Sequence, residues 1–416
     1  MTDYKPRGMG YLRRKLDEKR RRVLLRYRYF DAKERVQDLS GVIPRRIFND
    51  YSLVLGWCAT SVDALANRLN FRTWKNDNYN LNQIYAMNNP DVLFRSAIRS
   101  ALIASCSFIY ISPADDGFPR LQVIDGSNAT GILDDTTGLL REGYAVLQRD
   151  KYERPVVEAY FLAGRAWICQ DRQSRLYENP APYPLLVPVL YKPDASRPFG
   201  HSRISRACMG LVQGALRSIM RSEVSGEFYS YPQRYVLGLA ADAEFDSTKA
   251  TISNFLAFSK DESGDSPTVG QFAQQSMQPY TDQVRMFASL FAGETGLTLD
   301  DLGFPSDNPS SVEAIRAAHE NLQLTASDAQ KTIGSGLLNA GYLAACVRDN
   351  FPYRRNQLYL TRASWGPVFN PDAAAIASIG DAVTKINMAV PGYFGPGNLQ
   401  DLLGIAPESE EAVING

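Results

Sequence analysis

Apolar and polar positions along the chain fall into blocks whose period changes near Phe108, from helical to strand-like, and changes back near Ser202. Ile47, Tyr51, Leu55, Val62, Leu65 and Leu69 recur at helical spacing and predict a helix over residues 45–71. A further helix is expected over residues 88–104. The runs FIYIS, LQVI, YAVLQ, VVEAYFL and AWIC then follow one another, separated by Asp116-Gly117, Asp125-Gly126, Thr137-Gly138 and Ala163-Gly164. Turn dipeptides between β-rich runs predict one meandering antiparallel sheet, closed by a Pro-rich stretch at residues 179–198.

Ser202 reads as the N-cap of the next helix, in which Ile204, Cys208, Leu211, Ala215 and Ile219 keep a helical period. Gly210 and Gly214, four apart, would allow close approach of a neighbouring backbone, but the ordinary reading is two tolerated glycines. Residues 231–271 hold strand-like pieces, RYVLGL and NFLAF, around the polar turn KDESGDSP. A helix from about Thr281 should bury Val284, Phe287, Ala288 and Phe291 and stop at Gly293 and Gly296. After a loop at residues 297–309, Ser310 with Glu313 forms a capping box that opens a long helix. Val312, Ile315, Leu322, Ile333 and Leu337 mark its inner face, and Gly334, Gly336 and Gly341 predict a bend. LYLTRASW reads as a strand, residues 371–389 as a helix and NLQDLLGI as a short one. The fold class is therefore α+β, with long helices and an antiparallel β meander.

Composition narrows the function classes. The chain has 416 residues, 44% of them hydrophobic, and no apolar run long enough to cross a bilayer, so a soluble protein made in a cytoplasm is expected. Cys58, Cys106, Cys169, Cys208 and Cys346 are far apart, and only His201 and His319 are available, which argues against a zinc site, a disulfide framework or histidine catalysis. No Gly-Lys dipeptide occurs, so no P-loop is encoded. GHSRI lacks the second glycine of a nucleophile elbow. The pairs Asp134-Asp135 and Asp300-Asp301 read as turn or helix-start residues rather than magnesium ligands. No enzyme activity, cofactor or metal is expected.

Formal neutrality hides an asymmetry: residues 1–35 hold 13 of the 45 Lys/Arg but 5 of the 45 Asp/Glu. A basic arm that includes Arg13, Arg14, Arg20, Arg21 and Arg22 is thus attached to an acidic body. Such an arm reads as a solvated helix or tail, or as an anchor for nucleic acid or an acidic neighbour. Removing residues 1–22 is expected to leave the fold intact. Residues 286–315 contain no Lys or Arg, whereas Glu294, Asp300, Asp301, Asp307 and Glu313 are acidic.

Four stretches, in this order, resemble the portal proteins of tailed double-stranded-DNA bacteriophages. They are LGWCATSVDALANRLNFRTW; LLVPVLYKP followed by RPFGHSRIS; MFASLFAGETGLTLDDLGF; and DNPSSVEAIRAAHENLQLTASDAQ. The resemblance runs over about residues 43–405 and implies a portal fold with wing, stem, clip and crown regions. Mapped on this chain, a basic arm spans residues 1–40 and the wing 41–201. A stem helix at 202–230, a clip at 231–273 and a second stem helix at 274–296 follow. A tunnel loop at 297–310, a wing helix with its returning strand at 311–370, and a short crown and tail at 371–416 complete the chain. The resemblance further implies a dodecameric ring at one capsid vertex, with Thr298, Asp300, Asp301, Phe304 and Asp307 facing DNA. Lys260, Asp261, Glu262 and Asp265 of the clip would meet the terminase large subunit and the head-tail adaptor. Major capsid and scaffolding proteins are the other implied partners, no membrane is involved, and the location is the virion. A DNA-binding protein of another kind, using the basic arm as its main contact, is the competing reading. An unrecognised hydrolase is a distant third.

Overall fold

Ala, Leu and Gly dominate residues 333–346, and nearly every one of them is buried, so this part of the chain is apolar all round and must lie inside a core. The computed structural model describes residues 4–37, 53–113, 117–134, 136–171, 173–230, 234–237, 268–271, 276–305, 317–369 and 373–403. The described chain divides into two units. The first comprises residues 1–34, 56–209 and 292–416, and the second residues 35–55 and 210–291.

The helices are α1 (Met9–Phe30), α2 (Trp57–Ala66), α3 (Leu81–Ala86), α4 (Pro90–Ala104), α5 (Arg206–Ser230), α6 (Gln278–Thr295), α7 (Glu320–Arg348), α8 (Ala373–Ala389) and α9 (Pro396–Leu403). α7 is continuous through Gly334, Gly336 and Gly341. These glycines serve close packing where a bend was expected: a Cβ on Gly336 would stand 2.9 Å from the Pro188 carbonyl oxygen and 3.1 Å from Val189 Cα. The capping box at Ser310 and Glu313, with Val312 and Ile315, lies outside the described residues; Leu322, Ile333 and Leu337 are fully buried as the periodicity predicts.

The β runs form two sheets in the first unit where one meander was expected. β2 (Cys106–Ser112) pairs with β3 (Arg120–Asp125) and, on its other side, with β9 (Leu186–Leu190). β4 (Ala129–Leu133), β5 (Leu140–Arg149), β6 (Pro155–Leu162), β7 (Arg165–Gln170) and β8 (Gln173–Glu178) make the true meander, in sequence order. The chain leaves the first sheet at an Asp125 turn, whose carboxylate accepts from the Ser127 amide (2.7 Å) and the Asn128 side chain (2.9 Å). Gly126 is required there, because its Cβ would meet the Cys106 carbonyl oxygen at 2.8 Å.

One further difference concerns a strand hidden by its short length, while the strand read in LYLTRASW is present over its last four residues. Residues expected to continue one helix from 45 to 71 instead give α2 and then β1 (Phe71–Lys75), which pairs antiparallel with β12 (Arg362–Trp365); residues 45–52 lie outside the described residues. Phe71, Trp74, Tyr85, Phe94 and Trp365 pack around this ladder, with ring centroids 4.3–6.5 Å from Phe71. Tyr85 donates to the Leu337 carbonyl at 2.5 Å, fastening α3 to α7.

Candidate functional site

In the second unit, the polar face of α5 meets α6 in an antiparallel pair. Gly214 faces Phe287, Ser218 donates to Gln283 Oε1 at 2.6 Å, and the Ser225 and Tyr280 hydroxyls lie 3.0 Å apart. As numbers rise on one helix they fall on the other, and beyond them β10 (Arg234–Leu237) pairs antiparallel with β11 (Thr268–Gln271). Gly214 is not merely tolerated, since a Cβ would stand 2.6 Å from the Phe287 ring; Gly210 has nothing within 4 Å. The overlooked signal is the row of small residues Gly214, Ser218, Ser222 and Ser225, spaced to share one helix face. Gln213 is buried and holds the preceding chain, accepting from the Gln37 amide (2.8 Å) and donating to the Arg35 carbonyl (3.0 Å). On the outside of α6, Met286 and Leu290 are exposed at 49% and 53%.

The first unit contains the run Gly200-His201-Ser202-Arg203-Ile204-Ser205, in which each polar side chain holds a different element. His201 Nε2 lies 2.5 Å from Asp194, whose carboxyl is held below the usual range by that contact and by donors from Ser196 and Arg197. Ser202 is not the N-cap: its hydroxyl donates to the Ile103 carbonyl (2.6 Å) at the end of α4 and accepts from the Ile204 amide. Ser205 caps α5 instead, accepting from the Cys208 amide at 3.1 Å and donating to Glu294 at 2.9 Å. Arg203, buried, donates to the Ser61 carbonyl (2.5 Å) of α2 and the Thr295 carbonyl (2.8 Å) at the end of α6.

α6 ends in a Schellman motif: Gly296 has φ +69° and the Leu297 amide donates to the Ala292 carbonyl. In the loop that follows, Asp301 accepts from both the Thr298 amide and its hydroxyl at 2.9 Å, closing a 3-10 turn at Asp300–Leu302. Thr298 and Asp301 are therefore engaged with each other. Asp300 is exposed and Phe304 half-buried, while Asp307 lies outside the described residues. Lys260, Asp261, Glu262 and Asp265 also lie outside them.

The basic segment is no free arm. Leu12 and Leu16 of α1 pack on Tyr144 and Val146 of β5 in one buried cluster. Arg13 makes a two-point contact with Glu158 (3.0 and 2.6 Å), and Arg20 reaches Glu153 at 2.6 Å. Arg14, Arg21 and Arg22 are exposed. The expectation that residues 1–22 could be removed without harm to the fold fails for this reason. Glu142, fully buried, clasps the preceding residues, accepting from Tyr4 Oη (2.6 Å), the Arg7 amide (3.0 Å), the Gly8 amide (3.1 Å) and Tyr160 Oη (2.8 Å).

A cavity of about 630 Å³ lies between α7 and the loops after β4 and β9; its two carboxylates are already engaged, Asp134 with Arg141 and Asp194 with His201. Among the described residues no group of three or more His, Cys, Asp or Glu is placed to hold a metal ion, and no helix is long and apolar enough to cross a membrane.

The portal protein of Mycobacterium phage L5 is 26% identical over 321 residues, which cover 71% of this chain and 65% of that protein. The portal protein of Mycobacterium phage D29 is 31% identical over 146 residues, 33% of this chain and 29% of its own length. The chain is similar to the portal proteins of these two phages. It spans less than two-thirds of the length of either of these portal relatives. No family model matches the sequence. A solved chain from the neck of an empty gene transfer agent particle superposes with a TM-score of 0.45 and 14% identity over 90% of this chain and 96% of its own. One from the virion of the native particle gives 0.45 and 13% over 84% and 90%.

The portal-like stretches fall on definite elements. LGWCATSVDALANRLNFRTW makes α2 and β1, LLVPVLYKP contains β9, and RPFGHSRIS is the polar run just described. MFASLFAGETGLTLDDLGF covers the end of α6, its Schellman turn and the Thr298–Asp301 turn. Of DNPSSVEAIRAAHENLQLTASDAQ, the described part opens α7.

Proposed function

We propose that this chain is a portal subunit: copies of it close into a dodecameric ring at one capsid vertex, and double-stranded DNA passes through the ring during packaging and ejection. The observation that carries the reading is the α5/α6 pair continued by the β10/β11 ribbon, in a chain whose curated relatives are portal proteins. A helix pair with Met286 and Leu290 outermost offers a neighbouring copy an apolar face. In this reading the pair is the stem, and residues 231–273 form the clip that docks the terminase large subunit and the head-tail adaptor through Lys260, Asp261, Glu262 and Asp265. The loop with Thr298, Asp300 and Phe304 borders the channel, residues 41–201 and 311–370 form the wing facing capsid and scaffolding proteins, and residues 371–416 form a short crown. The protein is structural and non-enzymatic, is made in the bacterial cytoplasm and resides in the virion.

The loop chemistry suits a conduit. Duplex DNA presents about one negative charge per 1.7 Å of axis, so a basic lining would hold it still; residues 286–315 carry no cation. Negative-stain microscopy of the purified protein tests the reading. Rings with a central hole are expected, and a monomer that never closes into rings, under any condition, would sink it. The competing DNA-binding reading pictured a free arm, whereas α1 is folded onto β5 and offers only the cations of its outer faces.

A further inference from the structure

α1 sets cations on both flanks of its buried seam, and the fold treats the flanks differently. On one side Arg13 and Arg20 each meet a glutamate. On the other, Lys15, Lys19, Arg22 and Arg26 recur at intervals of four, three and four, a narrow stripe on one helix face. None of these four forms an ion pair among the described residues. Lys15 donates to the Gly131 carbonyl (2.7 Å) and Arg26 to the Ala104 carbonyl (3.1 Å), groups that satisfy hydrogen bonds without cancelling charge. Lys15 and Lys19 converge on one side chain, their ammonium nitrogens 5.3 and 4.8 Å from the centre of the Phe199 ring. Arg197, two residues before that ring, adds a fifth cation that acts on Arg26. Glu18 and Glu142 influence Lys19 and Lys15 only from beyond contact distance.

We propose that Lys15 and Lys19, which converge on Phe199, together with Arg22, Arg26 and Arg197 farther along the same stripe, form a binding site for a phosphate group. Lys15, Lys19 and Arg26 are half-buried and Arg22 and Arg197 exposed; like charges on one face repel one another, and a multiply charged oxyanion accepting from several donors relieves that repulsion where a chloride ion would do so weakly. Burial first, and neighbouring cations after it, push the Lys15 ammonium down to about 8 and lower Lys19 as well. The phosphate comes either from solution or from a nucleic-acid backbone. The site does not depend on ring formation.

The test compares the full-length chain with Lys19→Met/Arg22→Met, which keeps the apolar stems, and with Arg14→Met/Arg21→Met on the exposed face. Each is titrated with inorganic phosphate against chloride of equal ionic strength, and separately with a short random-sequence duplex. Phosphate should raise the melting temperature of the parent and of Arg14→Met/Arg21→Met, and affinity should fall at least about tenfold in Lys19→Met/Arg22→Met. In phosphate-free buffer that variant should melt no lower than the parent, which separates loss of the site from loss of the fold. A duplex effect confined to the same variant, with no response to free phosphate, assigns the site to backbone phosphates. Equal responses of the two double variants in both titrations, or no response to either probe in the parent, overturn the proposal.

Discussion

Replacing Glu142 by Gln should release the N-terminal residues from the β4–β8 sheet while leaving the side-chain shape nearly unchanged. Each carboxylate oxygen of Glu142 accepts from two donors, Tyr4 Oη and the Arg7 amide on one, the Gly8 amide and Tyr160 Oη on the other. An amide turns one of those oxygens into an NH₂ group that opposes two donors. Two lost hydrogen bonds to a charged acceptor, at about 1.5 kcal/mol each, give about 3 kcal/mol. Burial pushes the Glu142 carboxyl up, but the four donors outweigh it and hold it below the ordinary carboxylate range. A group depressed in the folded state contributes its full stability above its unfolded pKa near 4.5 and loses it as pH falls through the folded value. The parent should therefore lose this increment only below about pH 4.5, and Glu142→Gln should lack it at every pH. Amide exchange at Arg7 and Gly8, followed by mass spectrometry, should accelerate roughly 100-fold in the variant at neutral pH. Unchanged protection of these two amides would refute the clasp.

Leu16→Ala should cost about 2–5 kcal/mol in urea denaturation, because Leu16 is fully buried against Tyr144 and Val146; a loss under about 1 kcal/mol would mean that α1 is not part of the core. Gly336→Ala should destabilise by several kcal/mol, since the new methyl meets Pro188 and Val189 backbone, whereas Gly210→Ala, with open space, should gain up to about 1 kcal/mol. Lys15, depressed to about 8 when folded, binds fewer protons folded than unfolded between that value and its ordinary 10.5, so stability should rise with pH from about 8 in the parent and not in Lys15→Met. On the proposed portal reading, Asp300→Lys should slow genome packaging, and Asp301→Lys should in addition lower the melting temperature by removing the acceptor of Thr298; equal packaging by Asp300→Lys and parent would count against an electrostatic role.

Long elements and their buried faces were legible in the sequence, because periodicity reports burial directly: Leu322, Ile333 and Leu337 on α7 are examples. Sheet membership was not. FIYIS and YAVLQ carry the same alternation, and only the Asp125 turn and the return of β9 to β2 place them in different sheets. Charge density misled in the N-terminal segment, where the arginines conceal Leu12, Leu16 and Val23 on one face. Of the loop residues expected to face a common passage, Thr298 and Asp301 turn to each other, a pairing that the Thr-x-x-Asp spacing could have suggested. Arg203 was missed because a lone arginine in a polar run carries no sign that it is buried.

That buried arginine changes what the α5/α6 pair can do. Ser205 to Glu294, Gly214 to Phe287, Ser218 to Gln283 and Ser225 to Tyr280 follow one antiparallel register, so the two helices are matched along most of their length. They are not held equally along it. At the Ser205 end, Arg203 joins the Thr295 carbonyl to the Ser61 carbonyl, and a guanidinium stripped of either acceptor would be a buried charge without a partner. At the Ser225 end the contacts are between neutral hydroxyl groups, which are worth roughly half as much and are readily exchanged for water. The helix pair is therefore held by a charged, buried contact at the Ser205 end and by neutral hydroxyl contacts at the Ser225 end. The polar run from His201 to Ser205 supplies the fixed end of that gradient.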